Sequence, residues 1–271
     1  MKKVFSKQNK ALLSELVRTD FKLRYQGSAL GYTWSLLRPL FMFTILYLVF
    51  ALIFNAGKDV PHYPVYLLLG IVLWNFFGDI TSQSLSSIVA RGDLIRKIRI
   101  PRWLIIVSVS IGALINLLLN LLVVIIFGVI NGVGISKGVV FMPVYLLEIY
   151  LFALGVSLVL SSLFVRYRDV SYIWDVIMQV GFYATPIIYA VTTKVNMLAG
   201  HPLLLKLLYI NPVAQSIQGA RYAIVTNQTL TISKVWGSSF AFLLPITVIV
   251  ITLVFGVSYF KKHAKNFAED L

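Results

Sequence analysis

The chain contains no cysteine at all, so it has no disulfide framework, no thiol chemistry and no thiolate metal site. Charge is scarce: 13% of the 271 residues are Asp, Glu, Lys or Arg, about half the share found in soluble globular domains. Acidic residues are scarcer still, ten against 24 basic ones. Histidine appears only as His62, His201 and His263, far apart and off any shared helical face, so no metal site is expected. No G-x-x-x-x-G-K-[ST] phosphate loop occurs, and the chain is expected to bind no ATP of its own and no other cofactor.

What remains is apolar. Hydrophobic residues make up 59% of the chain and the mean hydropathy is +0.86, which identifies an integral membrane protein with one lipid-embedded core, a single domain over 1–271. About 20 apolar residues are needed to cross a bilayer as a helix. Six windows qualify: 36–54, 65–89, 103–130, 140–165, 171–190 and 237–260. The first 30 residues, threaded with charge, do not read as a secretory signal.

The net charge of +14 sits on short segments between these windows, where topology rather than nucleic acid accounts for it. With the N-terminus inside, eighteen of the 24 Lys and Arg fall on the cytoplasmic side and six on the other. Both termini are therefore expected in the cytoplasm. Before the first window, Leu12, Leu13, Leu16, Val17 and Phe21 recur at helical spacing opposite Ser14, Arg18 and Lys22, with Asp20 intruding on the apolar arc. The segment 1–34 is read as a cytoplasmic region carrying an interfacial helix.

Between the second and third windows lies "RGDLIRKIRIPR", 91–102. Asp93 is placed as the N-cap of a short helix, Leu94, Ile95 and Ile98 share one face, Arg96, Lys97 and Arg99 the other, and Pro101 stops the turn. Two uses stay open for it: fixing topology against anionic lipid, or offering a knob that a soluble partner grips.

Three carboxylates fall inside the windows, where charge is costly. Asp79, followed by Thr81, Ser82, Gln83 and Ser84, is placed on a polar path. Asp175 is expected to pair with Arg166 or Arg168, and Glu148 to have a buried structural partner or to lie near the interface. The stretch 203–225 is too interrupted to span: eight residues, "LLLKLLYI", reach about 12 Å before Asn211 and Pro212 break the helix. It is expected to enter and leave on the outer side, with the break against Pro186 or at a cavity, and with Arg221 at the outer phosphate level, where holding the gate, meeting a pyrophosphate and anchoring to lipid all stay open. Tyr25, Tyr32, Trp34, Tyr183 and Tyr189 have the ring faces and polar tips that suit sugar contact, and packing suits them as well.

The segments "DFKLRYQGSALGYTWSLLRP", "GDLIRKIRIPR", "LFALGVSLVLSSLFVRYRDV", "FYATPIIY" and "NPVAQSIQGAR", in this order, resemble the membrane subunit of bacterial ABC exporters of cell-surface polysaccharides such as O-antigen, teichoic acid, capsule and rhamnose-rich wall polymers. Arg91 departs from the small polar residue usual there. The resemblance implies an all-α membrane protein with six transmembrane helices, an N-terminal amphipathic helix, a coupling helix and re-entrant gate helices between spans five and six. It implies a homodimer in the bacterial cytoplasmic membrane, joined to two ATPase subunits that hold ATP and Mg, with a lipid-linked polysaccharide as cargo. On these residues it assigns ATPase coupling to Gly92, Asp93, Leu94, Ile95, Arg96, Lys97, Pro101 and Arg102. Contact with lipid-linked substrate goes to Arg18, Lys22, Arg24, Tyr25 and Arg38. Channel or gate positions are Tyr32, Trp34, Asp79, Tyr183, Pro186, Tyr189, Asn211, Pro212 and Arg221. An ion-coupled secondary transporter and a polytopic transferase acting on lipid-linked sugars are the alternatives.

Overall fold

The computed structural model describes residues 7–25, 30–97, 100–134, 136–193 and 200–267. Helices account for nearly all of the regular structure among them, joined by a single antiparallel bridge between Thr192 and Thr229. The elements are α1 (Lys7–Tyr25), α2 (Trp34–Leu46), α3 (Tyr63–Ala90), α4 (Gly92–Lys97), α5 (Trp103–Ile130), α6 (Met142–Arg166), α7 (Val170–Ala184), α8 (Pro202–Ile210), α9 (Pro212–Ile224), α10 (Ile232–Trp236) and α11 (Leu243–His263). α2 continues as a π-helical stretch, Tyr47–Ile53. Among the described residues five helical segments are long and apolar enough to cross a membrane: Trp34–Ile53, Tyr63–Ala90, Trp103–Ile130, Lys137–Arg166 and Ser239–His263.

These five divide by how they meet their neighbours. In α3, 78% of the spanning window is buried in protein, whereas the other four bury 17–33%. α3 is thus the axis of the bundle. It packs on α5 along one side and α6 along another, and α6 carries α11. The rest of each outer helix presents apolar side chains such as Leu122, Ile126, Val250 and Val254 to the surroundings, as lipid requires.

The fifth sequence window, 171–190, is divided between two structures. α7 has 15 residues, about 22 Å. It stops at Ala184 because Thr185 precedes a proline and turns extended (φ −80°, ψ 141°). The apolar residues Ile187, Ile188, Ala190 and Val191 then run as a buried strap instead of a last helical turn. Two tyrosines of α3 hold it: Tyr63 donates to the Ile188 carbonyl (2.8 Å), and the Tyr66 hydroxyl accepts from the Val191 amide (3.4 Å).

The α6–α11 crossing depends on two glycines. A Cβ on Gly256 would stand 2.4 Å from the Gly155 carbonyl oxygen, so the backbones touch. Gly256→Ala should therefore force the helices apart and cost about 1–3 kcal/mol. The check is thermal unfolding of the purified protein followed by tryptophan fluorescence, and an unchanged midpoint would show that the crossing absorbs a methyl group.

Candidate functional site

A cavity of about 790 Å3 opens between α2, α3, α5 and α7. α3 contributes Asn75, Asp79 and Gln83, which one face of a helix brings together at intervals of four. α5 contributes Asn116 and Asn120, again four apart. Asn120 also pins the start of α2, donating to the carbonyls of Ser35 (3.2 Å) and Asn116 (2.8 Å). α2 adds Trp34 and Arg38, and α7 adds Asp175, Gln179, Phe182 and Tyr183. Aromatic packing sets the α7 wall: Trp74 and Phe182 meet edge to face at 6.2 Å, and Gly181 has no side chain because the Trp74 ring fills that space. Amides and carboxylates that donate and accept hydrogen bonds, set among aromatic edges, form a surface for polyhydroxylated rings.

Beside the strap, at the end of α3 away from α4, Arg221 of α9 is fully buried. Its Nε donates to the Tyr66 carbonyl (2.9 Å), Nη2 to the Ile187 carbonyl (2.8 Å), and Nη1 to Gln218 Oε1 (3.2 Å) and the Pro186 carbonyl. The guanidinium also lies over the Tyr66 ring, 3.6 Å from its centre. One side chain therefore ties α9, α3 and the strap together. α9 is wedged on its other faces as well: Ser216 donates to Glu148 of α6 (2.8 Å), and Gly219 admits the Tyr145 ring. The helix starts where it does because Asn211 accepts from the Val213 amide (3.0 Å) and Pro212 fills the first helical position.

At the other end of the bundle, α4 sits on a second apolar cluster. Its Ile95 is buried with Ile88, Ile105, Ile106, Val165, Phe260 and Phe267. Arg96 and Lys97 are exposed. Two polar ties brace this end: Arg91 pairs with Asp20 of α1, which also accepts from Ser108 of α5 (3.1 Å), and Arg102 donates to the Ala264 carbonyl after α11. Asp20, the intruder on the apolar arc of α1, is thus the link between α1 and the turn before α4.

The cavity brings together Trp34, Asp79 and Tyr183 from the sequence reading, and adds Arg38, which had been placed with the lipid-linked substrate. Pro186 and Arg221 meet in the buried network, and Asn211 and Pro212 in the cap of α9. Tyr189 is half-buried and donates to the Ala184 carbonyl (2.7 Å), apart from the cavity. Arg18 and Lys22 are exposed on α1. The side chains of Arg24, Tyr25 and Tyr32, and residues Ile98 and Arg99, lie outside the described residues.

Several expectations need correction. Arg221 is fully buried and enclosed by backbone carbonyls of the strap rather than exposed to lipid. At the break in 203–225 Asn211 is exposed and Pro212 is buried, and the contact with Pro186 comes from Arg221. Asp175 faces the cavity, while Arg166 lies over Tyr167 and Arg168 over Phe164. Among the described residues Arg91 and Asp20 form an ion pair, and neither Arg166 nor Arg168 pairs with Asp175. Thr81 turns inward to bond the Phe77 carbonyl and Ser84 is buried, leaving Ser82 and Gln83 beside Asp79. Asp93 lies in the first turn of α4, which begins at Gly92 with a bond from the Ile95 amide to the Arg91 carbonyl, so Asp93 is not the cap. Sequence reasoning passed over Asn116 and Asn120, although two amides four residues apart in an otherwise apolar window were a signal for a wet face.

Comparison with known proteins extends this geometry. Residues 11–225 match the family described as ABC-2 type transporter. The chain is 30% identical over 264 residues to "O-antigen export system permease protein RfbA" of Klebsiella pneumoniae, covering 96% of this chain and 95% of that one. A protein of the same name from Myxococcus xanthus is 30% identical over 188 residues, 69% of this chain and 71% of its own. A helical bundle with a polar cavity beside its axis and a match over most of its length identify the chain as a member of the ABC-2 type transporter family, the membrane subunit of an ABC exporter.

Proposed function

We propose that this chain forms a homodimeric permease that, with two ATPase subunits, moves a lipid-linked cell-surface polysaccharide outward across the bacterial cytoplasmic membrane. The observation that carries the reading is the cavity: carboxamides, carboxylates and aromatic edges along one side of the bundle axis. A sliding polymer needs many weak contacts of this kind rather than one tight site. The names of the relatives, permeases of O-antigen export, point to the same class of cargo. In this reading α4 is the helix that meets the ATPase, and ATP and Mg reside on that partner. A proton relay joining Asp79 and Glu148 is not supported, because Asp79 stands in the cavity while Glu148 is buried against α9 and accepts from Ser216.

The test is export. Depleting the permease should strand lipid-linked glycan on the cytoplasmic face, and re-expression should return it to the surface. Unaltered surface glycan after depletion would refute the reading. Orientation is tested separately, and the lack of native cysteine makes it clean. Lys10→Cys and Asn266→Cys should each react with an impermeant maleimide only after the cells are opened. Labelling of either in intact cells would place that terminus outside.

A further inference from the structure

α4 is too short to hold its own place. Its six residues make fewer than two turns, well under the length at which a helix stands without tertiary support. Nor does it extend α3 rigidly, because Arg91 between them leaves helical backbone (φ −113°, ψ 25°). Among the described residues of α4 only Ile95 is buried. One apolar anchor sets how deeply the helix sits but leaves it free to turn about that point. A second fixed point comes from α1: the Asp20 carboxylate pairs with the Arg91 guanidinium through one oxygen and accepts from Ser108 of α5 through the other (3.1 Å). From this arrangement we infer that Asp20 is a positioning residue for ATPase coupling, which sets the direction in which α4 presents Arg96 and Lys97 and makes α1 and α4 move together. The inference rests on α4 being the helix that meets the ATPase and adds what aims it.

Packing alone would not put a carboxylate at position 20. It stands one helical turn after Leu16, which is buried on the side of α1 that packs along α5. A carboxylate on that side must have hydrogen-bond partners within the protein, and both of its oxygens do. The side chains of Arg91 and Asp20 are only 17% and 24% exposed, so water competes for this pair less than for one on an open surface. Ser108 is fully buried and holds the carboxylate from the bundle side, which keeps the pair from swinging loose with α1. Three elements therefore meet at one carboxylate: α1, α5 and the turn that aims α4. A displacement of α1 along α5 draws that turn with it.

The experiment uses the permease–ATPase complex in nanodiscs and reads ATPase retention, ATP turnover and the thermal midpoint. Asp20→Asn and Arg91→Gln should each lower permease-stimulated turnover by about fivefold. Retention of the ATPase and the KM for ATP should stay within about twofold of native, because Arg96 and Lys97 are untouched. The midpoint should move by less than about 3 °C, since a partly exposed pair adds little to stability. Both changes act on one contact, so Asp20→Asn with Arg91→Gln should cost no more than either alone. Exchange of the pair, Asp20→Arg with Arg91→Asp, should restore at least about half of native turnover, a rescue that a merely structural loss would not show. Native turnover in either single variant, losses that multiply in the double variant, or a folded exchange variant no faster than the single ones would overturn the inference. If Arg96→Glu with Lys97→Glu releases the ATPase in that case, the reading of α4 stands without it. Retention and turnover unchanged by that charge reversal would overturn the reading of α4 and this inference together.

Discussion

Replacement of Arg221 by alanine should lower the thermal midpoint of the purified protein by about 10 °C or more. The guanidinium serves the carbonyls of Tyr66, Pro186 and Ile187 and the amide oxygen of Gln218, all in a site that excludes solvent. The strap has no helical ladder of its own, so the carbonyls of Pro186 and Ile187 lose these donors outright. Each buried acceptor left without its donor costs about 1–3 kcal/mol, and the empty volume adds to it. A native stability of about 5–15 kcal/mol leaves little reserve. Arg221→Lys should recover only part of the loss, because a compact ammonium on a flexible stem cannot reach four acceptors in one plane. Gly70→Ala should act on the same network from the other side, since its Cβ would stand 2.3 Å from Arg221 Nη2. A midpoint within about 2 °C of the native one for both Arg221→Ala and Gly70→Ala would show that the network does not hold the strap.

Arg221 illustrates what a sequence discloses and what it hides. In the sequence it is a lone cation in an interrupted apolar stretch, and the interface is where such cations usually lie. Its partners are main-chain carbonyls 34, 35 and 155 positions away, and a carbonyl has no residue identity to read. Asn211–Pro212, by contrast, was legible, because capping and proline geometry are local. The lengths of α3, α5, α6 and α11 were legible for the same reason, as apolar runs between basic loops. The end of α7 was not: Ile187 to Val191 are apolar whether they finish a helix or form a strap, and only tertiary contacts with Tyr63 and Tyr66 decide it. Asp175 was misassigned through nearness in sequence. Helix α7 begins at Val170 and carries the carboxylate to the cavity, away from Arg166 and Arg168.

Reversing both exposed charges of α4, Arg96→Glu with Lys97→Glu, should abolish co-purification of the ATPase while leaving the permease folded. The structure separates the two consequences. Ile95 holds α4 on the cluster formed by Ile88, Ile105, Ile106, Val165, Phe260 and Phe267, whereas Arg96 and Lys97 point away from it. Changing them disturbs no packing, so the thermal midpoint should stay where it is. The partner would instead meet two anions where it had met two cations, and like-charge juxtaposition at an interface costs several kcal/mol, a loss of about a hundredfold or more in affinity. Ile95→Ala is the complementary change. It empties the seat and leaves the cations in place, so it should lower the midpoint, with a cost of about 2–4 kcal/mol, and weaken coupling more than binding. A helix that still grips the ATPase but no longer stands rigidly on α3 and α5 transmits less of its movement. If ATPase binding and permease-stimulated turnover survive the double reversal unchanged, the basic strip fixes topology alone and the docking surface lies elsewhere on this end of the bundle.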